Sequence, residues 1–592
     1  MPGKTVDITE VINDIDGLAV YISERFTEWQ TYRQNWLAEK QELRNYLFAT
    51  DTRSTSNSIL PWKNSTTIPK LTQIRDNLHA NYMEALFPND RWLSWEGDNE
   101  NDELEEKREA IEAYMRTKLR QDRSEIEISK LILDYIDYGN CFATSEWVDE
   151  STVDDNGETQ RGYIGPRIIR ISPMDIVFNP LAARFEDSPK VIRTLVSMGE
   201  LVKQASKLQE GSEKHSELMS ILGRAKENRR SVAQLDRSET FKDESFQVDG
   251  FSGYRDYFDS GYVELLTFYG DIYDQEKDEF FENYVVTVVD RMHVVAKKPN
   301  PDWAATSGFF HAGWRPRPDN LYAMGPLDNL VGMQYRIDHL ENLKADVMDL
   351  VAHPVFKIVG SSVEDFDYGP ASRIYVGEDS DVMFMNPPTD ALNADFQIRE
   401  LEQKMEELAG APREAMGIRT PGEKTKFEVQ RLDNAASRIF QNKIQHFERI
   451  LLEPLINYML QLARRNMSGA DVTRTLDSEV EAVIFSKVTR EDLVANGHLR
   501  PIGARHFAQK ANALQNLVQL FNTSIAADPS VTAHLSGKKI AQLLEKLADL
   551  DEFSIYSENI RVVEQAETQK AIDTQLNRVE QDRLTPDLED LE

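Results

Sequence analysis

The sequence predicts an α+β protein that is predominantly helical. Up to Tyr138, and again from Leu327, apolar residues recur three and four positions apart, which is the spacing of one helix face. Between these stretches lie short runs of β-branched and aromatic residues bounded by Gly, Asn and Pro, which are typical of strands. With 592 residues, 40% of them hydrophobic, the chain can form three or four folded units of roughly 100 to 200 residues.

The N-terminal part begins with predicted helices. An apolar and aromatic stripe predicts one long helix from Leu18 to Leu47 with its tryptophans in the core. Helices are also predicted over Pro69–Leu86, Asp102–Arg120 and Ser124–Tyr138.

Strands are predicted after Gly139. Cys141–Val148 and Tyr163–Ile171 are expected to form a hairpin through Asn156-Gly157, because both turn residues tolerate positive φ. Polar helices are predicted around Gly199–Asn228 and a loop over Arg229–Gly261. Strands are predicted again at Tyr262–Tyr269, Tyr284–Val289 and His293–Ala296. An irregular connector is predicted over Lys298–Pro326. Residues 1–324 thus form a predicted N-terminal α/β region.

Two predicted helices bracket a small β-rich module in the middle of the chain. Leu327–Val351, within 325–352, and Asp390–Leu408, within 389–409, follow helical spacing, and residues 353–388 contain short β-rich runs between turns. The apolar seam of the two helices contains Leu330, Ile337, Leu340, Val347, Ile398, Leu401 and Met405.

The last third is predicted to be mainly helical. A loop over residues 410–425 precedes a very long helix over 426–467, which Pro454 should kink because proline lacks a backbone N–H. Residues 468–592 contain further helical stripes and end in a polar, acidic stretch.

The charge distribution is uneven. With 101 acidic and 68 basic residues the chain has a formal charge of −33, which argues against a broad basic face that grips nucleic acid. Both central helices carry carboxylates opposite their seam, including Asp338, Glu341, Asp346, Glu400, Glu402, Glu406 and Glu407. The loop after them is locally basic, with Arg413, Arg419, Lys424 and Lys426.

No catalytic or metal-binding motif is found in the sequence. Gly417–Thr425 resembles a phosphate-binding loop, but Glu423 stands where a lysine must follow the last glycine. The ten histidines lack metal-ligand spacing, and Cys141, the single cysteine, is expected to be a packed thiol. The sequence therefore predicts a protein that is not an enzyme and has no cofactor and no metal.

No membrane association is predicted either. Met1–Gly17 is acidic where a signal peptide needs an apolar core. The best apolar stretches, Tyr284–Val289 and Ile450–Ala463, are too short or are interrupted by Glu453 and Pro454.

The order of these parts resembles the portal, or head-to-tail connector, proteins of tailed bacteriophages, especially the short-tailed type. The resemblance lies in Tyr322–Leu330 before the first central helix, in the β module between two helices, and in Ala411–Gly417 with Thr420–Thr425 before the long helix. Asp137–Cys141 and Ile171–Asn179 are similar to segments of the wing domain of that family.

The resemblance implies a homo-oligomeric ring of about twelve copies at one capsid vertex, with the apolar seams of the two central helices as the contacts between subunits. It also implies partners: the major capsid protein, the terminase large subunit, a tail adaptor, and double-stranded DNA that is packaged and ejected through the ring. The protein would be made in the host cytoplasm and reside in the virion. Residues 1–324 would be the wing, 325–352 and 389–409 the stem, 353–388 the clip, 410–425 the channel loop, 426–467 a long kinked wing helix, and 468–592 a crown.

In such a ring the two groups of charged residues would have separate roles. The acidic residues of the stem helices would line the channel, and the basic loop residues would contact DNA transiently. Two other classes stay open on sequence grounds. One is a different virion structural protein, such as a tail adaptor or scaffold, and the other is a monomeric acidic hydrolase that uses a carboxylate pair.

Overall fold

The computed structural model describes residues 17–48, 64–87, 92–99, 104–153, 159–205, 262–274, 279–300, 308–352, 355–360, 381–385, 389–409, 442–476 and 483–502, apart from residues 161 and 187 and with a few isolated positions besides. The described structure is mixed, 50% helical and 31% strand. The predicted mixture of helix and strand is therefore confirmed, but a predominance of helix is not.

Nine helices of the described chain are numbered here in sequence order. They are α1 (Leu18–Tyr32), α2 (Gln34–Phe48), α3 (Lys70–Leu86), α4 (Glu105–Gln121), α5 (Ser124–Asp137), α6 (Met198–Ala205), α7 (Val331–Ala352), α8 (Asp395–Ala409) and α9 (Glu453–Asn466). Short 3-10 turns, Asp328–Leu330 and Thr389–Ala394, precede α7 and α8.

The strands are numbered in the same way. They are β1 (Leu93–Gly97), β2 (Asn140–Asp149), β3 (Thr152–Val153), β4 (Thr159–Gln160), β5 (Ile164–Ile171), β6 (Ile176–Phe178), β7 (Lys190–Ser197), β8 (Tyr262–Asp274), β9 (Glu279–Val289), β10 (His293–Pro299), β11 (Phe309–Gly313), β12 (Arg315–Arg317), β13 (Asn320–Met324), β14 (Val355–Val359), β15 (Asp381–Met385), β16 (Asp471–Leu476), β17 (Val483–Val488) and β18 (Gly497–Pro501).

The strands form one five-stranded sheet, one three-stranded sheet and five pairs. The five-stranded antiparallel sheet has the order β10-β9-β8-β7-β6, and the three-stranded sheet has the order β11-β2-β5. The pairs are β1-β18, β12-β13, β14-β15, β16-β17 and β3-β4. The predicted antiparallel pairing of Cys141–Val148 with Tyr163–Ile171 is confirmed, because β2 pairs with β5. The predicted turn at Asn156-Gly157 lies outside the described residues.

The chain divides into two compact units. The first contains residues 1–471 and 488–504, and the second contains residues 472–487 and 505–592. In the first unit, α3, α4, α5, α7, α8 and α9 share one apolar core with β1, β2, β11 and β18, while α1 covers one face of the five-stranded sheet. The described part of the second unit lies in the β16–β17 pair.

The predicted helix from Leu18 to Leu47 is in fact two helices. Arg33 has φ −100° and ψ 10°, which ends α1. Its buried guanidinium donates to the carbonyl oxygens of Pro173, Met174 and Ile176 at 2.6 to 2.8 Å. The break therefore depends on a turn some 140 residues away, which helical periodicity does not reveal.

Strands missed in the sequence explain why helix does not predominate. The connector predicted over 298–326 contains β11, β12 and β13, and the C-terminal region predicted to be helical begins with β16, β17 and β18. These strands are short, and β12, with both its arginines exposed, has no alternating apolar pattern. The predicted loops over 229–261 and 410–425 and the helical stripes beyond residue 502 lie outside the described residues.

The long helix near Pro454 departs from α geometry where the proline requires it. Helical residues 442–447 continue through a π turn at Glu448–Leu452 into α9. Pro454 lies in the first turn of α9 and has no N–H to donate to the preceding turn. None of the described helices is long and apolar enough to cross a membrane.

A polar junction ties the start of β2 to β11 and β13. Gly139 has φ +69°, and a Cβ there would lie 2.3 Å from Gly325 N, so only glycine fits. The buried amide of Asn140 pairs with the backbone of Ala323, and its Oδ1 lies 3.0 Å from Nε2 of His311. The His311 ring stacks on Phe142 at 4.7 Å.

The first prediction concerns the pH dependence of stability. Burial, and then repulsion from His446, lowers the pKa of His311 to about 3. In the unfolded chain the imidazole titrates near its ordinary pKa of about 6.5. Between that pH and about pH 3 the unfolded state therefore binds a proton that the folded state does not bind. This contribution to stability is present above about pH 6.5 and is lost as pH falls, by about 2 kcal/mol at pH 5.

The variant His311→Gln keeps a donor for Asn140 and removes the titration. Denaturant unfolding at pH 7 and pH 5 should show a loss of stability in the wild type that is about 2 kcal/mol larger than in the variant. Equal losses in both proteins would contradict the assignment.

Candidate assembly surface

The candidate site lies on the helix–hairpin–helix segment, residues 328–409. α7 is about 33 Å long and leads into β14, which pairs antiparallel with β15 from Val355↔Met385 to Val359↔Asp381. The chain then returns through the second 3-10 turn and α8, both of which pack against α7. The predicted order of helix, β module and helix is confirmed.

α7 carries a polar ladder on its inner face. Gln334, Asp338, Asn342 and Asp346 are spaced four residues apart and bind the backbone of the preceding 64–71 segment. Asp346 Oδ1 accepts from the Asn64 N–H at 2.9 Å, and the Asn342 amide makes two bonds to the Thr66 backbone at 2.9 and 3.0 Å.

Two further side chains complete the ladder. Asp338 Oδ1 accepts from the Ile68 N–H at 2.9 Å. Gln334 accepts from the Leu71 N–H at 3.2 Å and donates to the Ile68 carbonyl at 2.5 Å. The 64–71 segment therefore runs antiparallel to α7, and alternate residues from Asn64 to Ile68 face the helix.

The repeat lengths of helix and extended chain explain why the ladder fits. Four helical residues rise about 6 Å, and two residues of extended chain span about 6.6 Å. A polar residue at every fourth position of α7 can therefore meet every second residue of the 64–71 segment. In this way α7 supplies hydrogen-bond partners to backbone groups of the 64–71 segment that are partly or fully buried.

Two buried lysines connect the helix–hairpin–helix segment to other parts of the first unit. Lys70 Nζ donates to Glu406 Oε1 on α8 at 2.6 Å, with both side chains almost fully buried. Lys40 on α2 pairs with Asp328 at the start of α7. Burial lowers the pKa of Lys40, and Asp328 opposes that shift.

Because of these contacts, three of the seven carboxylates predicted to line an acidic channel wall face the interior of the subunit instead. Asp338 is 0% exposed and Glu406 is 3% exposed, and both bind groups of their own subunit. Asp346 is half-buried against Asn64. These three carboxylates point inward because they bind backbone or lysine there.

The other four predicted wall residues are accessible to different degrees. Glu400 and Glu407 are exposed, and they contact Lys404 and Gln403 of the same helix. Glu341 and Glu402 are half-buried. Glu400 and Glu407 are thus the members of the predicted wall that face solvent in the isolated subunit.

The predicted oligomer seam also needs correction. Five of its residues, Leu330, Ile337, Leu340, Ile398 and Met405, belong to the apolar core of the subunit itself, and Leu401 packs against that core. Val347 is also buried. Helical spacing identified an apolar face correctly. The face is covered by α2, α3 and neighbouring helices of the same chain, so these residues are not free to bind another subunit.

A different apolar surface is exposed on the same segment. Of the 21 large hydrophobic residues that are exposed in the described chain, eight lie here. They are Met348, Leu350, Val351, Ile358, Val359, Met383, Phe396 and Leu408. These residues define the assembly surface; they cover the last turn of α7, the β14–β15 hairpin and part of α8. Sequence reasoning missed them, although Met348, Leu350 and Val351 lie in one helical turn that also contains Asp349.

The predicted channel-loop residues are not among the described ones. Arg413, Arg419, Lys424 and Lys426 all lie in the range 410–439. Their assignment stays a prediction.

The perturbed carboxylates of α5 are structural. Burial raises the pKa of Asp134 to about 6, and it also raises the pKa of Asp137. Arg170 on β5 holds Asp134 through two bonds of 2.5 and 2.7 Å, and Arg75 on α3 holds Asp137 at 2.7 and 2.9 Å. A perturbed carboxyl is a candidate catalytic group, but these two join α5 to its neighbours.

The thiol of Cys141 is fully buried, with Sγ 3.5 Å from the Ala312 carbonyl oxygen, as expected of a packed cysteine. Burial raises the pKa of this thiol well above its usual range. Within the described ranges, no group of three or more His, Cys, Asp and Glu side chains is placed to hold a metal ion.

Comparison with known proteins identifies no relative: no protein-family model matches the chain, and no curated protein matches it significantly.

The second prediction tests the polar ladder. Gln334→Leu removes a side chain that serves the Ile68 carbonyl and the Leu71 N–H, and each buried group left without a partner costs about 1 to 3 kcal/mol. We expect the free energy of unfolding to fall by about 2 to 4 kcal/mol. Gln403→Leu makes the same chemical change at an exposed position of α8 and should alter stability by less than about 0.5 kcal/mol. Similar losses in the two variants would contradict the role of the ladder.

Proposed function

We propose that this chain is the subunit of a phage-type portal, a ring-shaped DNA channel at one capsid vertex through which the genome is packaged and ejected. The observation that carries the proposal is the assembly surface. The inner faces of α7 and α8 are fully used within the subunit, yet their outer faces and the hairpin between them expose a group of large apolar side chains. Large apolar side chains exposed together on one segment are typical of protein interfaces.

A ring explains where these residues lie. In a cyclic assembly, one face of each subunit meets a different face of the next, so two sides of the same projecting element are covered at once. Met348 and Val351 on α7 and Phe396 and Leu408 on α8 would then contact neighbours on either side. An antiparallel hairpin between two helices supports the assignment of α7 and α8 to the stem and of residues 353–388 to the clip.

The charges suit a conduit. A wall that bound many phosphates would hold the duplex, since each neutralised phosphate adds salt-dependent affinity. Glu400 and Glu407 are exposed carboxylates on α8, and we assign them to the channel wall. The basic loop residues Arg413 to Lys426 would supply transient contacts, and the clip would meet the terminase or the tail adaptor.

The third prediction is a change of assembly state. Twelve copies of the 67.9 kDa chain weigh about 815 kDa, which light scattering after size exclusion distinguishes from a monomer. Phe396→Glu should weaken association at least tenfold, because burying a Phe side chain contributes about 1.5 to 3 kcal/mol. The control is Leu181→Glu, since Leu181 is 77% exposed and Phe396 is 76% exposed, but Leu181 lies outside the segment.

The expected result is an intact ring, with a central hole in negative-stain images, for the wild type and for Leu181→Glu, and smaller species for Phe396→Glu. A wild-type chain that stays monomeric at all concentrations would overturn the ring as an intrinsic state. A ring that tolerates Phe396→Glu as well as Leu181→Glu would overturn the assembly surface.

A further inference from the structure

The β12–β13 hairpin carries an exposed basic patch on this acidic chain. The patch consists of Arg315 and Arg317 on β12 and of Lys443 in the helical stretch 442–447. Both arginines are exposed, and Lys443 is half-buried. The patch shares no residue with the assembly surface.

A buried tryptophan holds two of the three charges close together. The guanidinium carbon of Arg315 lies 5.2 Å from the centroid of the Trp314 ring, and Lys443 Nζ lies 4.6 Å from it. Lys443 Nζ also donates to the Trp314 carbonyl oxygen at 2.5 Å. Trp314 is fixed in turn, because its indole N–H donates to the Tyr82 hydroxyl at 3.1 Å.

Among the described residues these cations have no carboxylate partner, in contrast to several arginines of the first unit that bind aspartates. Arg75, Arg167 and Arg170 each bind an aspartate at 2.5 to 2.7 Å. Asp319, at the turn of the same hairpin, makes no ion pair with Arg315 or Arg317. Burial and then repulsion from Arg315 lower the pKa of Lys443, which agrees with like charges held near each other.

We propose that the basic patch binds phosphate groups presented by the backbone of a nucleic acid. Guanidinium groups match the geometry of phosphate oxygens and bind them through two parallel hydrogen bonds. Prolines on both sides of Arg317 restrict the backbone and reduce the entropy lost on binding. The charges are spread over an open surface from two elements, which suits a polyanion with several phosphates better than one enclosed anion.

The inference goes beyond the proposed function and does not depend on it. A nucleic acid could bind the patch on a monomer as well as on a ring, because α7, β14, β15 and α8 contribute none of its residues. On a subunit of charge −33 the binding should be weak and strongly salt-dependent.

The test is fluorescence anisotropy with a labelled DNA duplex, titrated with the full chain between about 50 and 200 mM salt. For Arg315→Gln/Arg317→Gln we expect weaker binding. We also expect the slope of log affinity against log salt concentration to be smaller in magnitude by about 1.8, the value for two lost phosphate contacts. Arg315→Lys/Arg317→Lys keeps both charges and should keep the slope. Arg120→Gln/Arg184→Gln removes two exposed charges elsewhere and should leave the slope unchanged.

A second arm distinguishes the source of the phosphate. Inorganic phosphate is compared with chloride at equal ionic strength for its effect on the melting temperature. A stabilisation by phosphate that needs both arginines, without any DNA binding, would support a phosphate site and overturn the nucleic acid as its source. The proposal is wrong if Arg315→Gln/Arg317→Gln matches the wild type in both arms. It is also wrong if the protein binds a glutamate-rich peptide but neither the DNA duplex nor phosphate.

Discussion

The architecture of the central segment depends on the match in length between a helix and an extended chain. Four residues of α7 advance about as far as two residues of the 64–71 segment, so a side chain at every fourth position can serve alternate backbone groups. Buried backbone groups without partners are costly, and this requirement places the 64–71 segment along α7. Lys70 extends the arrangement to α8 through its buried pair with Glu406.

This arrangement divides the acidic residues of the two helices into different classes. Asp338 and Glu406 are buried and bonded within the subunit, whereas Glu400 and Glu407 are exposed at the surface. The same division applies to the apolar residues: Ile337 and Met405 belong to the core, and Phe396 and Leu408 are exposed.

The two proposals rest on different physical interactions at different places. Self-assembly rests on apolar area at the far end of α7, on the hairpin and on α8, and it should be largely insensitive to salt. Phosphate binding rests on Arg315 and Lys443 at the Trp314 ring and on the exposed Arg317, and it should weaken steeply with salt. A small basic patch on an acidic chain would contact a nucleic acid locally without holding it over a broad surface.

The sequence by itself determined the elements of the central segment: its periodicity predicted α7 and α8 with boundaries within a few residues, and its β-branched runs predicted a β-rich module between them. Only the tertiary structure decided which polar residues face inward. A carboxylate such as Asp338 looks the same in the sequence whether it faces water or the backbone of Ile68, 270 positions earlier in the chain. The break at Arg33 has the same origin, because its partners at Pro173–Ile176 are distant in sequence. The spacing of residues along the sequence shows whether an element is a helix or a strand. Only long-range packing determines which residues each face of that element contacts.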